Sequence, residues 1–138
     1  MDDEFADCMV GNSRMAARAI TRRYDAYLRP YGLTATQFSL LGVVGLMPGA
    51  SVSELAEARG FERTTLTRNL DRLEAMGLIA AVASHAGNAR VSAPTTKGRA
   101  IIDKLLPKWR KAQAEIRAEL SFEGFETSLN VLRRLAKV

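Results

Sequence analysis

Three leucines spaced four and three residues apart, Leu66, Leu70 and Leu73, constrain this chain more than any other feature. That spacing puts them on one face of a helix. Around them stand Arg63, Thr64, Thr65, Thr67, Arg68, Asn69 and Arg72, all cationic or hydrogen-bonding. A helix built this way is fixed to a core on one side and presents guanidinium forks, hydroxyls and an amide on the other. Arginine can bond two acceptors of guanine at once, and asparagine can pair with adenine. Threonine offers a hydroxyl to phosphate and a methyl to thymine. The stretch ends in Met76-Gly77-Leu78-Ile79, where Gly77 can take the left-handed conformation that stops a helix. Taken alone, the same pattern also describes an ordinary basic amphipathic surface helix.

The preceding segment narrows the choice. Ser51-Val52-Ser53-Glu54 has the form of a capping box, a serine three residues before a glutamate, each satisfying a free backbone N–H. It opens a short helix in which Val52, Leu55, Ala56 and Ala58 can face inward, and Gly60 breaks it. A short helix, a tight turn and a second helix with a polar outer face make a helix-turn-helix.

A chain of 138 residues predicts one domain, and 47% hydrophobic residues suffice for a core. The 25% charged fraction argues against general disorder. The formal charge is +5, and Arg59 to Arg99 holds seven Lys or Arg against three Asp or Glu. This excess favours a polyanionic partner through release of phosphate counterions, although many basic proteins bind no nucleic acid. With one Cys and one His, an intrachain disulfide is excluded and a zinc site implausible. No cofactor is expected. The acidic start MDDEFADC lacks the basic and apolar regions of a signal peptide, and no apolar run approaches the roughly 18 residues of a membrane span. A cytoplasmic protein is expected.

Residues 4 to 28 read as one long helix with Phe5, Met9, Ala16, Ile20, Tyr24 and Tyr27 on one face and Arg14, Arg18, Arg22 and Arg29 opposite. Pro30 and Gly32 stop it. Thr34 and Gln37 form a second capping box, opening a helix to about Leu46. Phe38, Leu40, Leu41, Val44 and Leu46 make that helix central. Ile79 to Ala83 and Ala89 to Ala93 can be two short strands, though alanine is a poor strand former and a loop is equally consistent with the pattern. Thr96 to Glu119 reads as a second long helix with a wide stripe through Leu105, Trp109 and Ile116, and Pro107 predicts a kink or break within it. Ser121 can cap a final helix carrying Phe122, Phe125, Leu129, Leu132 and Leu135. These terminal helices exceed what a small lobe can cover, so their surplus apolar surface predicts a twin subunit.

Catalysis has little support. His85 sits in a loop between the two short segments, where a solvated histidine is the simpler assignment. No phosphate-cradling glycine run, HExxH or nucleophile elbow occurs, so no enzyme is expected.

In order and spacing, Leu33-Thr34-Ala35-Thr36-Gln37-Phe38, Ser53-Glu54-Leu55-Ala56, Arg63 to Leu70, Leu73 to Ile79 and Thr95-Thr96-Lys97-Gly98 resemble the MarR family of winged-helix repressors. The flanking helices fit by length and pattern, so the resemblance spans nearly the whole chain. It implies a mainly α fold with a small β wing. Residues 34 to 95 would form the winged helix-turn-helix lobe, and residues 4 to 30 and 96 to 138 a helical dimerisation region. It also implies a homodimer bound to a pseudo-palindromic double-stranded DNA site, acting as a transcriptional repressor released by a small-molecule or oxidative signal. The expected base contacts are Thr64, Thr65, Arg68 and Asn69. Ser53, Arg63 and Arg72 are expected to hold phosphates, and Thr67 to share the face. Asn88 and Arg90 would serve the wing.

The wing departs from the family pattern. An Asp close to one or two Arg is usual at its tip, and Ala86 and Asn88 stand at the Asp position and an Arg position. Arg90 either reaches the DNA backbone or pairs with a nearby carboxylate. The depleted wing also keeps open a winged-helix protein-interaction module that has lost DNA binding. One family branch senses hydroperoxides through a cysteine early in the first helix. Alignment on Arg18, Ile20, Thr21 and Tyr24 puts Val10 there, and Cys8, two residues earlier, is rotated by about 200°. Cys8 is therefore a redox candidate or an idle thiol. Tyr24, Tyr31, Phe38 and Trp109 are candidates for an effector cleft of the kind that takes small aromatic ligands in the family, or are core residues.

Overall fold

A computed structural model describes residues 3 to 84 and 87 to 137. His85, read above as a loop histidine, and Ala86, aligned with the missing acid, lie outside them. Among the described residues, five α-helices carry the fold: α1 (Met9–Leu28), α2 (Ala35–Leu46), α3 (Val52–Arg59), α4 (Arg63–Ala75) and α5 (Thr96–Leu135). Strands β1 (Ile79–Ala81) and β2 (Ser92–Pro94) pair antiparallel, with Ile79 opposite Pro94. The ladder runs one step further through Val82 N–H donating to the Val91 carbonyl at 3.0 Å. Val91 also bridges Ser51, so the wing is stitched to the start of α3.

Both capping boxes form. Thr34 Oγ1 accepts from Gln37 N–H at 3.1 Å while Gln37 Oε1 accepts from Thr34 N–H at 3.0 Å. The Ser51–Glu54 pair does the same at 3.2 and 3.3 Å. Each box satisfies two backbone donors that a bare helix start would leave to solvent. Gly60 and Gly77 both take positive φ, at the ends of α3 and α4. The core is made by Leu40 and Leu41 of α2, Leu55 of α3, Leu66, Leu70 and Leu73 of α4, and Ile79, closed by Leu28 and Leu105 from the flanking helices and by Leu33 just before α2.

Several expectations are corrected. The first helix is not continuous from residue 4: Glu4–Asp7 is a 3-10 turn, and Cys8 is extended before α1 begins. Asn12 Nδ2 donates to the carbonyls of Ala6 and Cys8 at 2.8 and 2.9 Å, so a side chain takes over at this junction. The strands are shorter than expected, and the second starts at Ser92 rather than Ala89. Thr95 N–H donates to the Leu78 carbonyl at 3.0 Å and so fixes the register from the far end. Ala58 is exposed, and Leu46, expected in the centre, is 75% exposed at the end of α2.

The backbone stays helical through Pro107 and breaks at Ser121, which has φ 63° and ψ 166°. Pro107 and Asp103, four residues back, are both exposed, so the carbonyl that loses its donor can turn to water. Ser121 pays for its left-handed backbone in part by capping the next turn, its Oγ accepting from Gly124 N–H at 3.2 Å.

The start of α5 is joined tightly to the end of α4. Thr95 Oγ1 accepts from Gly98 N–H at 3.0 Å and donates to the Gly77 carbonyl at 2.6 Å. Lys97 Nζ donates to the Met76 carbonyl at 2.9 Å. A Cβ at Gly98 would stand 2.0 Å from the Leu78 carbonyl oxygen, so only glycine permits this approach. Farther along, α5 packs on α1. The Tyr24 hydroxyl donates to Gln113 and the Tyr27 hydroxyl to Glu115, which also pairs with Arg23 at 3.5 Å.

Candidate nucleic-acid interface

Helix α4 is divided as its sequence demands. Leu66, Leu70 and Leu73 are at most 1% exposed, while Arg63, Thr64, Thr67, Arg68 and Arg72 are exposed. Arg63, Thr64, Thr67, Arg68 and Asp71 line one shallow depression. Ser53, on the exposed side of α3, is also open to solvent. Thr65 and Asn69 are half-buried, and Asn69 Nδ2 donates to the Thr65 carbonyl at 3.0 Å. That bond takes one of the two amide hydrogens and leaves the other, with the amide oxygen, for a base edge. Glu62 stands at the N-cap position of α4, but its side chain makes no capping bond.

The wing carries less free charge than the helix. Asn88 is exposed, whereas Arg90 is engaged with two carboxylates of α4, Asp71 at 2.7 Å and Glu74 at 3.1 Å. The carboxylate pair, one of the two roles open for Arg90, is present. Its partners lie 19 and 16 residues away in the chain, so no local pattern identifies them.

The aromatic candidates separate. Tyr24 and Trp109, with ring centroids 6.0 Å apart, line a cavity of about 280 Å³ with Ala35, Thr36, Ser39 and Phe61. Phe38 and Trp109 line a larger, mostly apolar one of about 470 Å³ between α2 and α5, whose one charged lining residue is Arg59. Tyr31 lines neither and lies under Lys104, whose Nζ is 5.2 Å from the ring centre. Arg59 was not singled out in the sequence, because nothing local distinguishes a helix-end arginine over a cavity from one in solvent. Burial raises the Tyr24 phenol above its usual range, partly offset by the Arg117 cation. Its bond to Glu115 does the same for Tyr27. Cys8, half-exposed and free, is the N-cap residue of α1.

No cluster of three or more His, Cys, Asp or Glu able to hold a metal occurs among the described residues. Among them, too, no helix is long and apolar enough to cross a membrane.

The family model described as MarR family matches residues 31–90. The transcriptional regulator MosR of M. tuberculosis, solved in complex with DNA, is 40% identical, with 94% of each chain covered and a TM-score of 0.83. BpsR of Bordetella bronchiseptica, whose DNA binding is regulated by 6-hydroxynicotinic acid, has a TM-score of 0.88 at 19% identity, with 100% of this chain and 99% of that one covered. A MarR variant from E. coli in complex with operator DNA has a TM-score of 0.84 at 23% identity, covering 97% and 99%. The last two share the fold, and the identity to MosR extends the likeness to the sequence itself. With its buried leucine stripe, capped helix-turn-helix and two-stranded wing, the chain belongs to the MarR family of winged-helix regulators.

Proposed function

We propose that this chain is a sequence-specific double-stranded DNA-binding transcriptional regulator that represses by occupying a promoter. The observation that carries this is the division of α4, with three leucines sealed in the core and its arginines and threonines open on one continuous surface. Thr64, Thr65, Arg68 and Asn69 read base edges. Ser53, Arg63 and Arg72 hold phosphates, Thr67 completes the face, and Asn88 is the wing's polar contact. Residues 34 to 95 form the DNA-binding lobe, and residues 4 to 30 and 96 to 138 pair two subunits. The protein works in the cytoplasm as a binder and performs no catalysis.

Two-fold pairing sets the half-sites about 10 bp apart centre to centre, or a multiple. Selecting bound sequences from a random DNA pool tests this. Inverted half-sites at that spacing are expected, and winners without a two-fold repeat would overturn it. Arg68→Ala is expected to lose about 1–3 kcal/mol of discrimination, whereas Arg72→Ala weakens binding to all sequences alike.

The cavities lined by Tyr24, Phe38 and Trp109 support a small-molecule effector that releases DNA by changing the separation of the two α4 helices. Such a ligand must bind one arrangement more tightly than the other. An apolar cavity with Arg59 at its wall suits an aromatic carboxylate. Release through oxidation of Cys8 is the second route, and unchanged peroxide response in Cys8→Ser would remove it. The engaged Arg90 favours one competing function, a protein-interaction module without DNA binding. It predicts no salt-dependent affinity for duplex DNA, whereas a regulator loses affinity steeply as salt rises.

A further inference from the structure

Arg90 differs from the other arginines of the lobe in where its charge goes. Among the described residues, Arg63, Arg68 and Arg72 form no ion pair. Arg90 forms two, one terminal nitrogen on Asp71 Oδ1 at 2.7 Å and the other on Glu74 Oε2 at 3.1 Å. Asp71 and Glu74 are three residues apart on α4, so a single guanidinium spans both. The Arg90 side chain is 28% exposed. A single exposed ion pair contributes little, but a forked arginine shared between two carboxylates is the geometry in which such pairs matter.

Two neighbours show what the clamp holds. Asp71 lines the same depression as Arg63, Thr64, Thr67 and Arg68, so its bare charge would repel a phosphate arriving there. Val91, next in the chain, accepts from Val82 N–H and bridges Ser51. The base of the wing is thus held to α3 through Val91 and to α4 through Arg90.

We propose that Arg90 is a positioning residue that clamps the wing to α4 and offsets Asp71 and Glu74, and that it does not contact DNA. This rests on the DNA-reading role proposed above. Arg90 is the sole Lys or Arg from Ile79 to Pro94. The wing therefore supplies no other Lys or Arg to the minor groove, and α4 is the source of base discrimination.

A mutant cycle read by duplex affinity over a salt series tests it. Arg90→Ala is expected to weaken binding about tenfold in the native background. In an Asp71→Asn, Glu74→Gln background, which removes the carboxylates to be offset, it should weaken binding by less than about threefold and leave the salt slope unchanged. A direct phosphate contact would cost the same in both backgrounds and lower the slope by about one, and that result overturns the proposal. Amide exchange in the free protein provides a second readout. Arg90→Ala should speed exchange at Val82 while leaving Leu70 protected, and unchanged exchange at Val82 overturns the clamp. If the native protein shows no affinity for duplex DNA, the DNA-reading role fails, and the exchange result alone decides the clamp.

Discussion

The lobe from α2 to β2 and the terminal helices meet the same requirement, hiding apolar surface, in opposite ways. In the lobe, Leu40, Leu41, Leu66, Leu70 and Leu73 close on one another. At the termini, Met9, Val10, Met15, Ile20, Leu120, Val131, Leu132 and Leu135 are exposed, with Phe5 at 81% and Phe122 at 71%. Scattered exposed leucines need no explanation, but this concentration on two helices packed together does. A largely closed lobe joined to helices that leave this much apolar surface open fits the two-fold pairing proposed above.

Phe122→Asp tests this contrast with the largest expected effect. If Phe122 is buried between subunits, its loss counts twice and weakens pairing by about 3–6 kcal/mol. Sedimentation should then show a monomer whose lobe still melts cooperatively, and an intact dimer would place the contact elsewhere. Leu66→Ala strikes the finished region instead. It should cost about 2–5 kcal/mol in denaturant unfolding, since the helix under it cannot collapse freely. Gly98→Ala probes the seam between the two regions. Its methyl meets the Leu78 carbonyl, and a loss of about 1–3 kcal/mol is expected from thermal melts.

The smallest effect is one of pH. Tyr24 and Tyr27 have folded-state pKa values above the ordinary 10.0, so folding favours their protonated forms. Their contribution is complete below about pH 10 and is lost as pH rises through the raised values. Tyr24→Phe with Tyr27→Phe should flatten that alkaline decline, as followed by melting between pH 9 and about 11.5. An unchanged decline would show that other groups cause it.

The features that sequence revealed were those whose physics is local. Thr34 with Gln37 and Ser51 with Glu54 close their boxes within three residues, and Gly77 ends α4 by its own backbone freedom. The buried stripe of α4 and its polar face follow from spacing alone. What was missed depends on distant neighbours. Pro107 suggested a break because its missing donor is visible in the sequence, whereas the solvent that tolerates it is not. The actual break, at Ser121, was legible only as a cap. Phe122 and Leu132 belonged to a helix whose surplus apolar surface was expected, but which of its residues stay open and which, like Phe125, are buried could not be read. Arg90 could be assigned to the wing, while the carboxylates that hold it are found only once the wing folds back on α4. Likewise Arg59 could not be tied to a cavity formed by α2 and α5.

The bonds from Thr95 and Lys97 to the last turn of α4, with Gly98 seated against Leu78, have a mechanical consequence. They leave no slack between a long lever and the blade at its foot. A shift of α5 between Thr96 and the break at Ser121 is passed to the last turn of α4 through these bonds. Under the regulator reading proposed above, a molecule lodged between α2 and α5 acts on α4 by moving this stretch of α5.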